Sequence, residues 1–236
     1  MHLLAFDTST ERVSVAVCAG ARVLACEAAG GAQASATLLP AILGLLAEAG
    51  LALERLDAIA FGAGPGSFTG LRTACSVAQG LAFGTRARRA GGVPVLPVDT
   101  LLAVAEQARQ QAGATQVVAA LDARMGEVYA GRYRHVQGRW RRDGDFELLA
   151  PQALQVPAGW VLAGNAGAAY GPRLGAAAPG LAALPEAAAM LRLAPQLLAE
   201  GAAVPDHAAL PRYVRDKVAK TTAERAAEKA AAGAVR

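Results

Sequence analysis

The residues best suited to chemistry are two aspartates, each at the end of an apolar strand pattern. Asp7 ends "HLLAFD" and is followed by a polar run that starts at Thr8, whereas Asp122 ends "QVVAALD" and precedes Glu127. Paired carboxylates at strand ends can hold a metal ion beside phosphate groups and support phosphoryl transfer. Both segments are equally typical of turns stabilised by Asp and Thr side chains, so they are weak grounds for catalysis.

A glycine-rich segment, "GAGPGSFTGLR" from Gly62 to Arg72, lies between an apolar strand pattern and a helical one. Backbone amides at such a position can surround a phosphate. The segment nevertheless matches neither GxxxxGK[ST], because no lysine follows, nor GxGxxG, because Ser67 stands where the third glycine should be. The alternative is that the glycines only allow a sharp turn and close packing of the helix.

Metal-dependent and nucleophilic chemistry have little support in the sequence. The histidines, at positions 2, 135 and 207, form no HxxxH or HExxH pair, and no GxSxG elbow occurs. The cysteines, at positions 18, 26 and 75, have no CxxC spacing and are typical of buried thiols in a reducing cytosol. We therefore predict no metal site and no catalytic residue.

The composition indicates a globular chain with a diffuse basic excess. The formal net charge is +4, 54% of the residues are hydrophobic, and the lysines all follow residue 216. A P-loop lysine and Schiff-base chemistry are thereby excluded from the preceding region. The sequence shows neither a signal-peptide pattern nor a continuous apolar stretch for a bilayer, so we expect a soluble cytoplasmic protein without a membrane partner.

A basic run with interleaved aromatic residues extends from Arg132 to Arg142 and reads "RYRHVQGRWRR". Such a composition could hold an RNA backbone. A solvated face of a hairpin is the commoner origin of this pattern, and the sequence leaves both interpretations open.

The elements that must position these residues recur twice in the same order. An apolar strand ending at an aspartate, a turn and two further strands occur from residue 2 and again from residue 116. We expect an internal duplication into two α/β halves, each opening with a three-stranded meander. The predicted domains are an N-terminal lobe at 1–100 with partner-binding helices, a C-terminal lobe at 101–220, and a flexible or frayed helical tail at 221–236.

Two helices of the first half have unusual surfaces: one is strongly apolar, and the other carries many small side chains. One is predicted from Ser35 to Ala49, with Pro40 tolerated near its start, and the other follows an N-cap at Ser67 and ends at about Gly84. In the second helix, small residues recur at every fourth position from 70 to 82 and would allow close approach of another backbone. That backbone could belong to the first helix or to an equivalent helix of another subunit.

The glycine segment also carries a family resemblance. With "GPGSFTGLR" at 64–72, the sequence resembles the TsaB (YeaZ) family, the non-catalytic partner subunit in bacterial threonylcarbamoyladenosine tRNA modification. Four further motifs support the resemblance, which extends from about residue 3 to about residue 215. They are "LAFDTST" at 4–10, "LLPAI" at 38–42, "AQGLA" at 78–82 and "DARMGEVY" at 122–129.

The resemblance implies an actin-like ATPase (ASKHA, RNase H-like) α/β fold, with two related lobes whose mixed five-stranded-type sheets are flanked by helices. It also implies a scaffold that dimerises with the catalytic subunit TsaD, with the ATPase TsaE joining. TsaD transfers threonylcarbamoyl from threonylcarbamoyl-adenylate to N6 of adenosine 37 in tRNAs that read codons beginning with A. The HxxxH metal pair of the catalytic relative is missing here, which predicts no autonomous activity.

The resemblance also implies which residues form sites. It places partner-binding helices in the first lobe, with homodimers expected when TsaD is absent, and it leaves a vestigial nucleotide site in the cleft. The predicted interface consists of Leu38, Leu39, Ile42, Leu45, Leu46, Phe68, Gly70, Leu71, Ala74, Ala78 and Leu81. The vestigial nucleotide site would consist of Asp7, Thr8, Gly64, Gly66, Ser67 and Asp122.

Cofactors and rival functions follow from the same resemblance. We expect no cofactor of the chain's own, although the complex uses ATP and Mg²⁺ and the interface with the partner could hold ATP or ADP. Many family members have a histidine where this sequence has Ala34, so a contact made by that histidine is not expected here. The alternatives are an active ASKHA-type ATP-dependent phosphotransferase using Asp7 and Asp122, a metallopeptidase-like protein, and a stand-alone RNA binder.

Overall fold

The computed structural model describes residues 1–175 and 180–215, so the predicted tail at 221–236 lies outside the described residues. Nine strands and five α-helices occur within these ranges. The strands are β1 (His2–Asp7), β2 (Arg12–Ala19), β3 (Arg22–Ala29), β4 (Ala58–Gly64), β5 (Val95–Asp99), β6 (Gln116–Arg124), β7 (Glu127–Val136), β8 (Arg139–Leu149) and β9 (Val161–Gly164). The helices are α1 (Ala34–Ala49), α2 (Phe68–Gly84), α3 (Thr100–Ala112), α4 (Ala166–Tyr170) and α5 (Ala187–Ala199).

The first sheet is mixed and has the strand order β3-β2-β1-β4-β5. The first three strands form an antiparallel meander, and β4 and β5 continue it in parallel with β1. The meander turns at Gly20, whose φ of 65° suits glycine in a tight turn. The three-stranded meander predicted at the start of the first half is therefore confirmed.

The second sheet repeats the first four strands of this order, as β8-β7-β6-β9, with β6 antiparallel to β7 and parallel to β9. The two mixed sheets confirm the predicted fold class. The described part of the second sheet has four strands rather than five. A single parallel bridge between Ala163 and Leu181 lies beside β9, where a fifth strand would pair.

The helices cover both faces of the first sheet. Along β1, Leu4 and Phe6 point into the core that α1 and α2 cover, whereas Leu3 and Ala5 point into the core shared with α3, α5 and the second sheet. This alternation follows from the two-residue period of a strand. Helix α5 comes after the second sheet in the chain yet packs on β1 and β2, where the backbone N–H of Ala187 donates to Ser14 Oγ at 2.9 Å.

The two predicted lobes are in contact through α3 and α5. The boundary predicted at residue 100 falls at the start of α3, which lies between the two sheets. Because α3 and α5 contribute to one core with both sheets, the lobes are joined by more than a linker.

The helix ends follow the predicted capping chemistry. Ser67 Oγ accepts a hydrogen bond from the Gly70 N–H at 3.4 Å at the start of α2, and Gly50 ends α1 in the left-handed conformation. Pro40, expected in the first turn of its helix, instead lies inside α1, because the helix already begins at Ala34. Its ring is exposed to solvent, which is where a helix best tolerates the hydrogen bond that proline cannot make.

Candidate functional site

The glycine segment connects β4 to α2, and its glycines are required by close packing. A Cβ on Gly62 would meet the Asp7 carboxylate, and one on Gly70 would meet the backbone carbonyl oxygen of Thr8. The hydroxyl of Thr8 in turn donates to the Gly70 carbonyl oxygen at 2.6 Å. The segment is therefore fitted tightly against the end of β1.

Several backbone amides of this segment already have partners inside the protein. The Gly64 N–H donates to Thr100 Oγ1 at 3.0 Å, and the Ser67 N–H donates to the Ser9 carbonyl oxygen at 2.8 Å. The Gly70 N–H is used by the Ser67 cap described above. Amides engaged in this way are not free to surround a phosphate.

The Asp7 carboxyl group is buried beneath the segment. Its Oδ1 accepts hydrogen bonds from the Ser9 N–H at 2.8 Å and the Ser9 hydroxyl at 2.7 Å. Its Oδ2 is buried and has no hydrogen-bond partner among the described residues. Burial raises the pKa of Asp7 to about 7, against the lowering effect of the two Ser9 hydrogen bonds. A buried carboxyl group with this pKa is poorly suited to holding a hydrated metal ion.

Asp122, at the equivalent strand end of the second sheet, lines a cleft but is saturated by its neighbours. Its Oδ1 accepts from the Tyr170 hydroxyl at 2.7 Å, and its Oδ2 pairs with Arg124 Nη1 at 3.0 Å. Burial and the hydrogen bond to Asp122 raise the pKa of Tyr170 to about 12, so this phenol stays a donor. The structure therefore does not present Asp7 and Asp122 as a catalytic carboxylate pair.

The cleft has a volume of about 300 Å³ and lies between the two sheets at the ends of β1 and β6. Its lining comes from 9–11 and 66–68 of the first lobe, from 121–125 of the second, and from 212–215 at the end of the described chain. Asp7 and Thr8 are buried and do not line it, whereas Gly66, Ser67 and Asp122 do.

The segment 212–215 lies across the cleft and covers the glycine segment. The Arg212 N–H donates to the Ala63 carbonyl oxygen at 2.6 Å, and a Cβ on Gly64 would meet the Arg212 carbonyl oxygen. The Tyr213 ring lies 5.3 Å from the Phe68 ring. The chain's own backbone therefore occupies the space beside Gly64, while Gly66 and Ser67 line the cleft.

Sequence reasoning missed this covering segment, because 212–215 has no strand or helix pattern. At the other end of the cleft, Arg215 pairs with Glu127, and its guanidinium lies 3.4 Å from the Arg124 carbonyl oxygen. The related feature in the sequence is Gly64 itself. Its φ of 113° suits glycine, and the absence of a side chain lets the Arg212 backbone approach it closely.

Most of the predicted interface residues lie inside the monomer, which corrects the surface assigned to α1 and α2. Side chains that face the first sheet are covered by it, because the most apolar stripe of a surface helix packs on its own core. The covered residues are Leu38, Ile42, Leu45, Leu46, Gly70, Leu71, Ala74 and Ala78. Of the predicted set, Leu39, Phe68 and Leu81 reach the surface.

The solvent-facing side of the two helices, here called the outer face, is formed by other residues. It carries large apolar side chains and helical glycines, and a Cβ on any of these glycines would meet no atom within 4 Å. The residues of the outer face are Leu39, Leu43, Gly44, Gly80, Leu81, Phe83 and Gly84. Leu39, Leu43 and Phe83 are 40%, 49% and 64% exposed.

Two searches of the described residues concern other kinds of site. No group of three or more His, Cys, Asp or Glu side chains could hold a metal ion in the described part of the chain. One helical stretch there, Gly31–Ala49, is long and apolar enough to cross a membrane by length and composition. This is weak support for a membrane span, because core helices of soluble proteins have the same composition, and this stretch packs its buried side chains on the first sheet.

Two related mixed sheets with a cleft between equivalent strand ends define an α/β protein of the actin-like ATPase (ASKHA) class. A family model described as "TsaD: tRNA N6-adenosine threonylcarbamoyltransferase" matches residues 31–154. The solved structure of "YeaZ from Pseudomonas aeruginosa" superposes with a TM-score of 0.81 at 42% identity, over 90% of this chain and 99% of that one.

Two relatives carry the same name. The chain is 37% identical over 230 residues to "tRNA threonylcarbamoyladenosine biosynthesis protein TsaB" of Escherichia coli K12, over 93% of this chain and 96% of the relative. The protein of that name in Haemophilus influenzae is 45% identical over 129 residues, 55% of this chain and 52% of the relative. The chain belongs to the TsaB (YeaZ) family, whose members are named for tRNA threonylcarbamoyladenosine biosynthesis, and the resemblance seen in the sequence is confirmed.

Proposed function

We propose that the chain is a non-catalytic scaffold subunit that pairs with a TsaD homologue and activates it. TsaD would transfer threonylcarbamoyl to N6 of adenosine 37 in tRNAs that read codons beginning with A, and a TsaE homologue would join the complex. The names of the full-length relatives and the match to the transferase family model support this role. The work would take place in the cytoplasm, where ATP and Mg²⁺ are consumed by the complex and the chain needs no cofactor of its own.

The observation that carries the proposal is the outer face of α1 and α2. Glycine inside a helix is less favourable than alanine by about 1 kcal/mol, and Gly44 and Gly80 have no neighbour within the monomer that requires them. Large apolar side chains such as Phe83 are exposed on the same outer face. Small residues beside exposed apolar ones suit close packing against helices of another subunit. A second copy of the chain would take this face when the partner is absent.

The cleft supports the non-catalytic part of the proposal. The Asp7 carboxyl group is buried, Asp122 is held by Arg124 and Tyr170, and the amides of Gly64 and Ser67 are engaged. An ATP-dependent phosphotransferase would need these groups to face its substrate. A metallopeptidase would need a ligand cluster, and the described ranges contain none. A nucleotide held jointly with the partner subunit remains compatible with the proposal.

Reconstitution tests the role directly. TsaD and TsaE homologues, tRNA and threonylcarbamoyl-adenylate would be combined with and without the chain, and the rate of adenosine modification measured. We expect a much faster rate with the chain, and equal rates would overturn the proposal. ATP hydrolysis by the chain alone should stay at background; turnover that disappears in Asp122→Asn would instead support the phosphotransferase.

A single substitution tests the pairing face. Ala74→Arg is unsuitable because Ala74 lies in the core, but Gly80→Arg places a long cation in open space on the outer face. Gly80→Arg should leave the circular dichroism spectrum unchanged and abolish both homodimers and stimulation of TsaD. Gln110→Arg, at an exposed position of α3, is the matched control and should pair normally. Normal pairing of Gly80→Arg would show that another face binds the partner.

A further inference from the structure

We propose that the β7–β8 hairpin carries a contact surface for the phosphate backbone of RNA. The surface is one face of the hairpin, formed by Arg132, Arg134, Arg139 and Arg141 and here called the cationic face. The inference rests on the proposed function for the identity of the RNA, which is tRNA. It assigns to this chain a part of the tRNA contact that the pairing face on α1 and α2 does not provide.

Charge is strongly segregated along this hairpin. Its distal half, residues 132–142, contains five arginines and no carboxylate, and the first acidic residue of β8 is Asp143. Elsewhere on the surface, exposed arginines sit beside acids, as in the pairs Arg12–Glu27 at 2.8 Å and Arg22–Glu48 at 3.2 Å. Within the distal hairpin, Arg132 pairs with Glu147 at 3.8 Å and Arg134 with Asp143 at 2.9 Å, so the uncompensated charge there lies on Arg139 and Arg141.

The strand register places the arginines on one face. Arg134 lies directly opposite Arg141, and Val136 lies opposite Arg139. Directly opposed residues of an antiparallel pair share a face, and like charges in that position destabilise the sheet. Arg139 and Arg141 are exposed and form no ion pair with any described residue. Folding therefore gives Arg139 and Arg141 no acidic partner among the described residues, and both are available to an anion.

The hairpin presents these charges on a fixed support. The guanidinium of Arg134 lies 5.1 Å from the Trp160 ring, and its Nη2 is 2.9 Å from Asp143 Oδ2. On the opposite face, the Trp140 indole N–H donates to the buried Glu106 Oε2 at 2.9 Å. Because Glu106 belongs to α3, the hairpin is tied to the core between the sheets, and the backbone that carries the cationic face is held in place.

Guanidinium groups favour RNA phosphates as the occupant. The planar fork of arginine matches phosphate oxygens in a bidentate way, and phosphate contacts position a nucleic acid without reading its sequence. On the cationic face, Arg139 and Arg141 offer forks without an acidic partner among the described residues, and the paired Arg134 and Arg132 lie on the neighbouring strand, about 5 Å away, so that contacts can follow a backbone rather than a single anion. An acidic protein segment is the competing occupant and is separated by the experiment below.

The test removes charge from the cationic face while keeping the support. The double variant Arg139→Gln/Arg141→Gln is compared with Arg12→Gln/Arg22→Gln, which removes the same charge from the first sheet. Binding of tRNA to the full chain, alone and in the complex with the TsaD homologue, is measured by filter binding over a series of KCl concentrations. The Kd should rise roughly tenfold in the hairpin variant, and the slope of log affinity against log salt should fall by about 2.

Further measurements separate this surface from the proposed function. In the reconstituted reaction the hairpin variant should raise the KM for tRNA with kcat unchanged, and Arg139→Lys/Arg141→Lys should largely restore binding. Unchanged Kd and salt slope, or an equal loss in the Arg12/Arg22 control, would overturn the inference. Normal tRNA binding with lost association to TsaD or TsaE would show a protein contact and also overturn it. If the wild-type chain fails to stimulate modification, the proposed function is wrong. Filter binding still tests whether the cationic face of the hairpin binds RNA.

Discussion

The inner and outer faces of α1 and α2 have nearly the same composition and opposite surroundings. Leu38 and Gly70 face the first sheet, and the glycine is required because the Thr8 carbonyl oxygen lies where a Cβ would be. Leu39 and Gly80 face solvent, and nothing within the monomer requires that glycine. Leucines and glycines at helical spacing therefore indicate that a helix face is closely packed. Only the atoms around each residue in the folded monomer show whether that packing is within the chain or against another subunit.

The largest expected difference is between two adjacent leucines. Leu38→Ala should lower the free energy of unfolding by about 3 to 5 kcal/mol, because it leaves a cavity in a closed core. Leu39→Ala should lower it by less than about 1 kcal/mol, since the side chain is partly in solvent, yet weaken association with a second subunit. Urea unfolding at a protein concentration that keeps both variants monomeric would measure the two free energies of unfolding. Similar losses in the two variants would contradict the assignment of faces.

The same substitution at two glycines should have opposite signs. Gly70→Ala should destabilise the monomer by about 3 kcal/mol, because its Cβ must displace the Thr8 backbone. Gly80→Ala should stabilise the isolated monomer by up to about 1 kcal/mol through its higher helix propensity. Thermal unfolding of both variants checks the sign. A destabilised Gly80→Ala monomer would mean that Gly80 is needed for the fold.

The last predicted effect depends on pH and concerns Asp7, beneath the inner face. Because burial raises the pKa of Asp7 to about 7, the folded state keeps this proton up to neutral pH while the unfolded chain loses it near pH 4. The stability that the proton contributes is present below about pH 4 and is lost as the pH rises to about 7. Asp7→Asn carries no such proton, so its stability relative to wild type should rise by about 3 kcal/mol between these pH values.

A second variant checks the physical cause of this effect. The hydrogen bonds from Ser9 lower the pKa of Asp7, so Ser9→Ala should extend the decline in stability to higher pH. Urea unfolding across the pH range would measure both variants. Parallel pH profiles for wild type and Asp7→Asn would show that Asp7 is charged in the folded state.

The regular elements could be predicted because their signals are local. The apolar strand ending at Asp7, the Ser67 cap and the end of α1 at Gly50 each depend on a few neighbouring residues, and the structure contains all three. The α2 face could not be assigned, because Gly70 and Gly80 differ only in what lies beyond the helix. The periodicity marks the apolar stripe of α1, and the sheet that covers it is assembled from residues far away in the chain.

The candidate site depended still more on distant contacts. Asp7 and the glycine segment were recognisable as a nucleotide-site pattern, but what decides their chemistry is Arg212 lying against Gly64. These two residues are 148 positions apart in the sequence, and no pattern at 212–215 indicates the contact. The sequence likewise did not indicate that Arg215 belongs to the cleft, because its partner Glu127 is distant in the chain.

The position of α5 has a consequence for how the chain is made. Strands β1 and β2 leave the ribosome first, but one face of their sheet is covered by a helix that ends at Ala199. Until that helix has been synthesised, Leu3 and Ala5 have an incomplete core around them. The first lobe therefore cannot finish folding during early translation, and nascent chains stalled before α5 should be the ones that need chaperones.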